Sequence, residues 1–203
     1  MKKEVLKLKN YKHEISEYLE KEVETLKSLD IAAIDQVMQL LEQALSEEKT
    51  VYIFGNGGSA ATASHFQNDF NKGVSEHTEK KFRFQCLNDN MATIMAIAND
   101  IGYEEVFRFQ LQGRLQAGDL VIAISGSGNS SNVLRAVEYA KDCGNTVIGV
   151  TGYDGGRLKE LCDVSLHAPV SSMQITEDIH MVFDHLMMSV FYKALCGIDH
   201  LSA

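Results

Sequence analysis

Residues 51–69 constrain the chain more than any other stretch. They run Val51-Tyr-Ile-Phe-Gly-Asn-Gly-Gly-Ser59-Ala-Ala-Thr-Ala-Ser-His65-Phe-Gln-Asn-Asp69. A short apolar run ends in a Gly-rich turn, and a helix-like stretch opens on a serine. The pattern recurs at Leu120–Ile124 before Ser125-Gly126-Ser127-Gly128-Asn129-Ser130, and at Thr146–Val150 before Thr151-Gly-Tyr-Asp-Gly-Gly156. Apolar runs this short, alternating with helical periods, imply a parallel sheet covered on both faces. The expected class is therefore α/β, a doubly wound, mainly parallel five-stranded sheet with helices on both faces. Ligands of such sheets bind outside the carboxyl ends of the strands. The turns after Phe54, Ile124 and Val150 should share that edge.

Two helices are expected before the first strand, over residues 10–48. Ile15, Leu19, Val23 and Leu26 recur at helical steps, as do Ile34, Val37, Met38, Leu41 and Ala44. Asp30 is placed to cap the second helix. After Val51–Phe54 the periodicity predicts a crossover helix over 59–72, a strand at Phe82–Leu87 and a turn and cap at Asn88-Asp89-Asn90. A short helix over 91–98 and a longer one over 103–115, closed by Gly118, precede the third strand. Helices over 130–142 and up to Leu161 flank the fourth, Val164–His167 is the fifth, and a long helix runs from Gln174 to Leu195 after Pro169. Nothing marks a second domain, so 1–203 is read as one: helices in 1–48, an α/β core in 49–170, and a C-terminal helix in 171–203.

The 203 residues carry a net charge of −9, which disfavours nucleic acid and anionic membranes as partners. An anionic ligand must then be held by local backbone geometry. Cys86, Cys143, Cys162 and Cys196 form no CxxC pair, and suit buried thiols in a reducing compartment. The charged start has no apolar signal core, and no run approaches the ~18 apolar residues of a membrane span. A cytoplasmic location is expected.

A strand, a Gly-rich turn and a helix N-terminus form an anion trap, because amide N–H groups and the helix dipole face the ligand. Ser125, Ser127 and Ser130, interleaved with Gly126, Gly128 and Asn129, offer a second cradle. Neither loop is a Walker A or dinucleotide fingerprint, since no Gly-Lys-Ser/Thr follows and Ala60 stands where the last glycine belongs. With no lysine or arginine in either loop, a nucleotide cofactor is not expected, and one phosphate on a small molecule is.

Phe54-Gly-Asn-Gly-Gly-Ser59, Ile124-Ser-Gly-Ser-Gly-Asn-Ser130 and Thr151-Gly-Tyr-Asp-Gly-Gly156 resemble the three loops of the sugar-isomerase (SIS) domain family. The resemblance spans nearly the whole chain and is strongest to the phosphoheptose isomerase branch, which converts sedoheptulose 7-phosphate to D-glycero-D-manno-heptose 7-phosphate. It implies that Asn56, Gly57, Gly58, Ser59, Ser125, Gly126, Ser127 and Ser130 surround the sugar phosphate, with Asp89, Asn99 and Asp100 near the sugar chain. The family commonly has Thr where this chain has Gly126. A homotetramer with active sites at subunit interfaces is implied as well. The same branch holds a non-enzymatic protein that associates with a replication initiator. A non-catalytic module binding a phosphosugar or a protein partner is therefore the alternative.

An aldose–ketose isomerisation moves a proton between C1 and C2 and needs a base together with an acid or metal. His65 and Asp69 share a helix face at i,i+4. Glu177, His180, Asp184 and His185 follow on the last helix. By resemblance Asp69 and His185 are the acid/base pair, Asp69 standing for a family glutamate, and His185 reaches the site from a neighbouring subunit. Glu177 replaces a family glutamine and could supply a second carboxylate. Some members bind zinc through the positions of His65, Asp69, Glu177 and His185. Glu177 and His185 lie about 12 Å apart along a helix axis, so long side chains would have to converge. His180 and Asp184 have the spacing of a local helix hydrogen bond, and Met181, Met187, Met188 and Phe191 that of core or subunit interface.

Overall fold

A computed structural model describes residues 9–199. Most of the charged start, residues 1–8, on which the expected lack of a signal core rests, lies outside the described residues. Five strands form one parallel sheet: β1 Thr50–Gly55, β2 Arg83–Cys86, β3 Leu120–Ser125, β4 Thr146–Thr151 and β5 Val164–His167, in the order β2-β1-β3-β4-β5. The sheet is parallel throughout, so the turns after β1, β3 and β4 do share an edge. The chain goes from β1 to β2 on one side and returns to β3 on the other. The β1/β3 boundary is thus the switch point where such sheets bind ligands.

The alternating pleat divides β1, β3 and β4 between two cores. Val51, Ile53, Ile122, Ile124, Ile148 and Val150 enter one core. It is covered by α2 (Ile31–Ser46), α3 (Gly58–Asn68) and α8 (Met173–Cys196). Tyr52, Phe54, Val121, Ala123 and Val147 enter the other. That face is covered by α4 (Met91–Asp100), α5 (Arg108–Leu111), α6 (Ser131–Asp142) and α7 (Gly156–Leu161). Asp30 caps α2 as expected, accepting from the amides of Ala32 and Ala33 at 2.9 and 3.1 Å.

Two elements depart from the sequence reading. The helix expected over 103–115 is broken into a 3₁₀ turn at Tyr103–Glu105 and the single α-turn of α5. Gln110 turns inward there, donating to the carbonyls of Leu87 (3.0 Å) and Val106 (2.8 Å), and Gly113 at φ +72° ends the segment. Tertiary partners for Gln110 outweigh helical propensity. The crossover helix does not stop at 72, because α3 passes into a π-helical turn, Asp69–Val74. Such turns cluster at functional sites, and this one begins on Asp69.

The first expected helix is present as α1 (Lys12–Lys27). Its apolar stripe is exposed: Ile15 at 56%, Leu19 at 54% and Val23 at 48%. The helix is tethered to α8 by the Tyr18 hydroxyl, which donates to Asp178, but its apolar face is not covered within one chain.

Candidate active site

The loops after β1 and β3 line a cleft of about 280 Å³ with Asn56, Gly57, Gly58, Ser59, Ser125, Gly126, Ser127 and Ser130. The first loop is clamped by Asn88, whose side chain accepts from the Gly55 amide (3.2 Å) and donates to its carbonyl (2.9 Å). Asn56 and Asn132 exchange side-chain bonds at 2.9 Å, and the Tyr103 hydroxyl donates to Asn56 at 2.8 Å. In the second loop the Ser125 and Ser130 hydroxyls meet at 3.2 Å, and Gly128 donates to the Ser125 carbonyl at 2.9 Å. Gly128 has φ +65°, and a side chain there would collide with the Gly155 carbonyl of the third loop. The two loops touch only because glycine occupies that position.

Ile124 near the end of β3 and two residues of α8, Met173 and Glu177, complete the lining. A Cβ on Gly126 would lie 2.9 Å from the Met173 sulfur, so the thioether fills space that a threonine at 126 would need. The Glu177 carboxylate rests on Gly58 at the first residue of α3, where a Cβ would collide with it. Asp89, Asn99 and Asp100 do not line this cleft. Asp89 accepts from Gln67 at 2.5 Å, and Asn99 donates to Asp100 at 2.8 Å. In a hollow of about 300 Å³ elsewhere, Glu105 is already paired with both arginines of the lining, Arg108 and Arg135.

Further along α3 a second cluster forms. His65 Nε2 lies 3.3 Å from Asp69 Oδ2, 3.8 Å from Asp184 Oδ2 and 3.2 Å from His185 Nε2. His185 Nε2 is 3.9 Å from Asp69 Oδ2. One ligand atom from each of the four residues lies within 4.8 Å of the others. His185 therefore meets His65 and Asp69 within one chain, whereas the resemblance implies its arrival from a neighbour. Glu177 is not in the group. Asp184 is, and it makes no bond to His180. His180 Nε2 instead donates to the Thr151 carbonyl at 3.2 Å, while neither Asp184 oxygen has a hydrogen-bond partner. Burial, and after it the charge of Asp69, pushes the Asp184 carboxyl up to about 8.

The donor set fits a transition metal. Around a tetrahedral ion with ligands at 2.0–2.1 Å, donor atoms stand about 3.3 Å apart. Two imidazole Nε2 atoms and two carboxylates converge here, the closest pairs at 3.2 and 3.3 Å and all within 4.8 Å, and the fully buried Asp184 oxygens are otherwise unpartnered. Among the described residues no cysteine joins the group.

His180 has a different role. Burial lowers its pKa to about 4, and the bond to Thr151 offsets only part of that. A histidine depressed from an ordinary 6.5 gives its full stabilisation above pH 6.5 and loses it as pH falls toward 4. The expected loss is on the order of 3 kcal/mol. Urea unfolding at pH 4.5 and 7 should show this decline, and His180→Gln, which keeps a donor for Thr151, should flatten it.

The SIS domain family matches residues 10–152. The chain is 33% identical over 179 residues to the phosphoheptose isomerase of Aliarcobacter butzleri, covering 88% of this chain and 92% of that one. It is 39% identical over 148 residues to that of Nitratiruptor, covering 73% and 79%. The solved phosphoheptose isomerase of Neisseria gonorrhoeae superposes with a TM-score of 0.80 at 30% identity, covering 88% of this chain and 95% of that one. That of Francisella tularensis gives 0.82 at 27%, covering 90% and 98%. The chain belongs to the SIS domain family. Within it, the chain is an isomerase of the phosphoheptose isomerase group.

Proposed function

We propose that the protein interconverts sedoheptulose 7-phosphate and D-glycero-D-manno-heptose 7-phosphate. The observation that carries this reading is the sequence of groups along α3. A lysine-free phosphate cradle opens the helix at Ser59, and the acid/base cluster begins at His65. Six residues of helix separate them by about 9 Å, a span that an extended heptose phosphate covers. Ser59, Ser125, Ser127 and Ser130 would donate to the phosphate, with the α3 and α6 amides supplying the positive end of each helix dipole.

A base takes the C1 proton of the ketose, and the electron pair forms the C1–C2 double bond. An acid protonates O2 as it gains charge. Reversal at the other carbon returns the first proton to C2 and takes one from O1. Asp69, His185 and Glu177 are the groups proposed to carry these protons. His65, Asp69 and His185 would hold a divalent ion such as zinc, with a carboxylate as the fourth donor. When bound, that ion would stabilise the developing oxyanion at the sugar carbonyl.

The uncovered stripe of α1 supports a homo-oligomer, proposed as a tetramer with sites near subunit interfaces. No helix among the described residues is long and apolar enough to cross a membrane, and a cytoplasmic location is proposed. The alternative, a non-catalytic phosphosugar- or partner-binding module, draws on the shortened carboxylate at Asp69.

Incubation with sedoheptulose 7-phosphate, with and without added Zn²⁺, tests the proposal by NMR detection of the aldoheptose product. Tight binding with no product would select the non-catalytic reading. Ser125→Ala and Ser127→Ala together should raise KM far more than they lower kcat, because phosphate contacts are made in ground and transition states alike.

A further inference from the structure

We propose that Asp184 is a metal ligand of this chain, closing a four-residue site with His65, Asp69 and His185, and that Glu177 takes no part in holding the ion.

Two packed helices fix the placement of both acids. Glu177 packs on Gly58, Asp184 faces His65, and Met188 and Tyr192 pack on Gly73. The helices α3 and α8 therefore run side by side in the same direction. From Gly58 to His65 and from Glu177 to Asp184 are both steps of seven residues. Seven residues are close to two full turns, so each pair returns to the same faces about 10 Å further along. Glu177 is thus aligned with the phosphate loop and Asp184 with the histidines. A glutamate side chain does not span two helical turns.

The burial of Asp184 is the second observation. Its side chain is completely inaccessible, and both carboxylate oxygens lack hydrogen-bond partners. One of them points at His65 Nε2 from 3.8 Å. A buried carboxylate is costly unless it is paired or coordinates a metal. The Asp69 carboxylate shares the cluster, so a cation there would satisfy two acids at once. The imidazoles add a third observation. Their Nε2 atoms face each other at 3.2 Å. Two neutral rings can share one hydrogen across that gap, whereas two lone pairs directed at one ion use both rings fully.

Neighbours on one helix reach the same point because they approach it differently. Asp184 comes from the buried side on a short arm, and the longer, exposed His185 comes around the flank. A carboxylate at 184 supplies the fourth donor without unwinding α8. Glu177 is left in the serine-lined cleft, available for proton transfer.

The site is tested by binding, without substrate, so its failure and that of the isomerase reading are separable. Chelator-treated wild-type protein is titrated with Zn²⁺ against a chromophoric competitor, and with Co²⁺ while the visible absorption is followed. Wild type is expected to take up one ion per chain and give the intense bands of tetrahedral Co²⁺. Loss of outer partners of a metal site costs about 10–100-fold in affinity. Asp184→Leu, which removes a ligand outright, should therefore cost at least ~100-fold and abolish the Co²⁺ bands. Zn²⁺ should raise the Tm of wild type but not of this variant. Glu177→Ala, which leaves no donor atom at that position, should bind Zn²⁺ as wild type does. If Asp184→Leu does not fold, Asp184→Asn, nearly the same size, reports the same loss in weaker form. Undiminished affinity in the Asp184 variants, loss in Glu177→Ala alone, or no uptake by wild type would each overturn the assignment.

Discussion

Replacing His185 by asparagine is expected to lower kcat/KM for sedoheptulose 7-phosphate by ~10²–10⁴-fold, the usual range for a positioned acid or base. The size follows from the two contacts that imidazole makes, 3.2 Å to His65 and 3.9 Å to Asp69. Asparagine removes the imidazole nitrogen and falls short of both partners. Stability should change little, since the side chain is 57% exposed and packs in no core. Steady-state kinetics paired with thermal unfolding separates the outcomes. A variant that keeps its Tm and loses turnover supports a role at the reacting centre, and its Zn²⁺ affinity separates loss of a proton carrier, which leaves uptake unchanged, from loss of a ligand, which lowers it. One that turns over normally would remove His185 from the mechanism and shift the base role to Glu177 and Asp69.

Phe70→Ala should be among the most destabilising single substitutions, by about 3–5 kcal/mol. The ring is fully buried, and four others lie around it. Its centroid is 4.7 Å from Phe84, 5.1 Å from Phe82, and 6.0 Å from both Phe66 and Phe191. These rings come from α3, the approach to β2, β2 itself and α8, so one truncation loosens four elements. Phe70 also follows Asp69 in the π-helical turn. A displacement there of about 1 Å can cost ~100-fold in rate. Urea unfolding should give the stability loss, and activity at a temperature where the variant remains folded should still fall well below wild type. Phe70→Leu, which refills most of the space, should recover much of both.

The β/α alternation, the strand positions and the shared loop edge are legible in the sequence. Buried parallel strands need continuous apolar runs, and tight turns near anions need glycine. Both requirements are local and leave a trace in composition. The segment 103–115 reads as one helix because its apolar spacing suits a helix, while its actual shape depends on Gln110 bonding to the Leu87 carbonyl, 23 residues away. The clamp made by Asn88 and the Asn56–Asn132–Tyr103 group leave no local trace for a similar reason. Nothing nearby in sequence signals that Asn132 will face Asn56 across 76 positions.

The cluster around His65 divides the same way. From sequence alone comes the chemistry on hand: a lysine-free phosphate cradle, a histidine and an acid one turn apart, and a second acid–histidine set near the end of the chain. That much follows from residue type and helical period. Only the tertiary structure decided which acid on α8 joins the histidines. Spacing makes Asp184 a local partner of His180, yet His180 is drawn to the Thr151 carbonyl and Asp184 is turned toward α3. The physical reason is that helical period tells which residues share a face, whereas the axial offset between two packed helices is set by where their surfaces fit. Here Gly58 seats Glu177 and Gly73 seats Met188 and Tyr192, and that offset brings Asp184 level with His65.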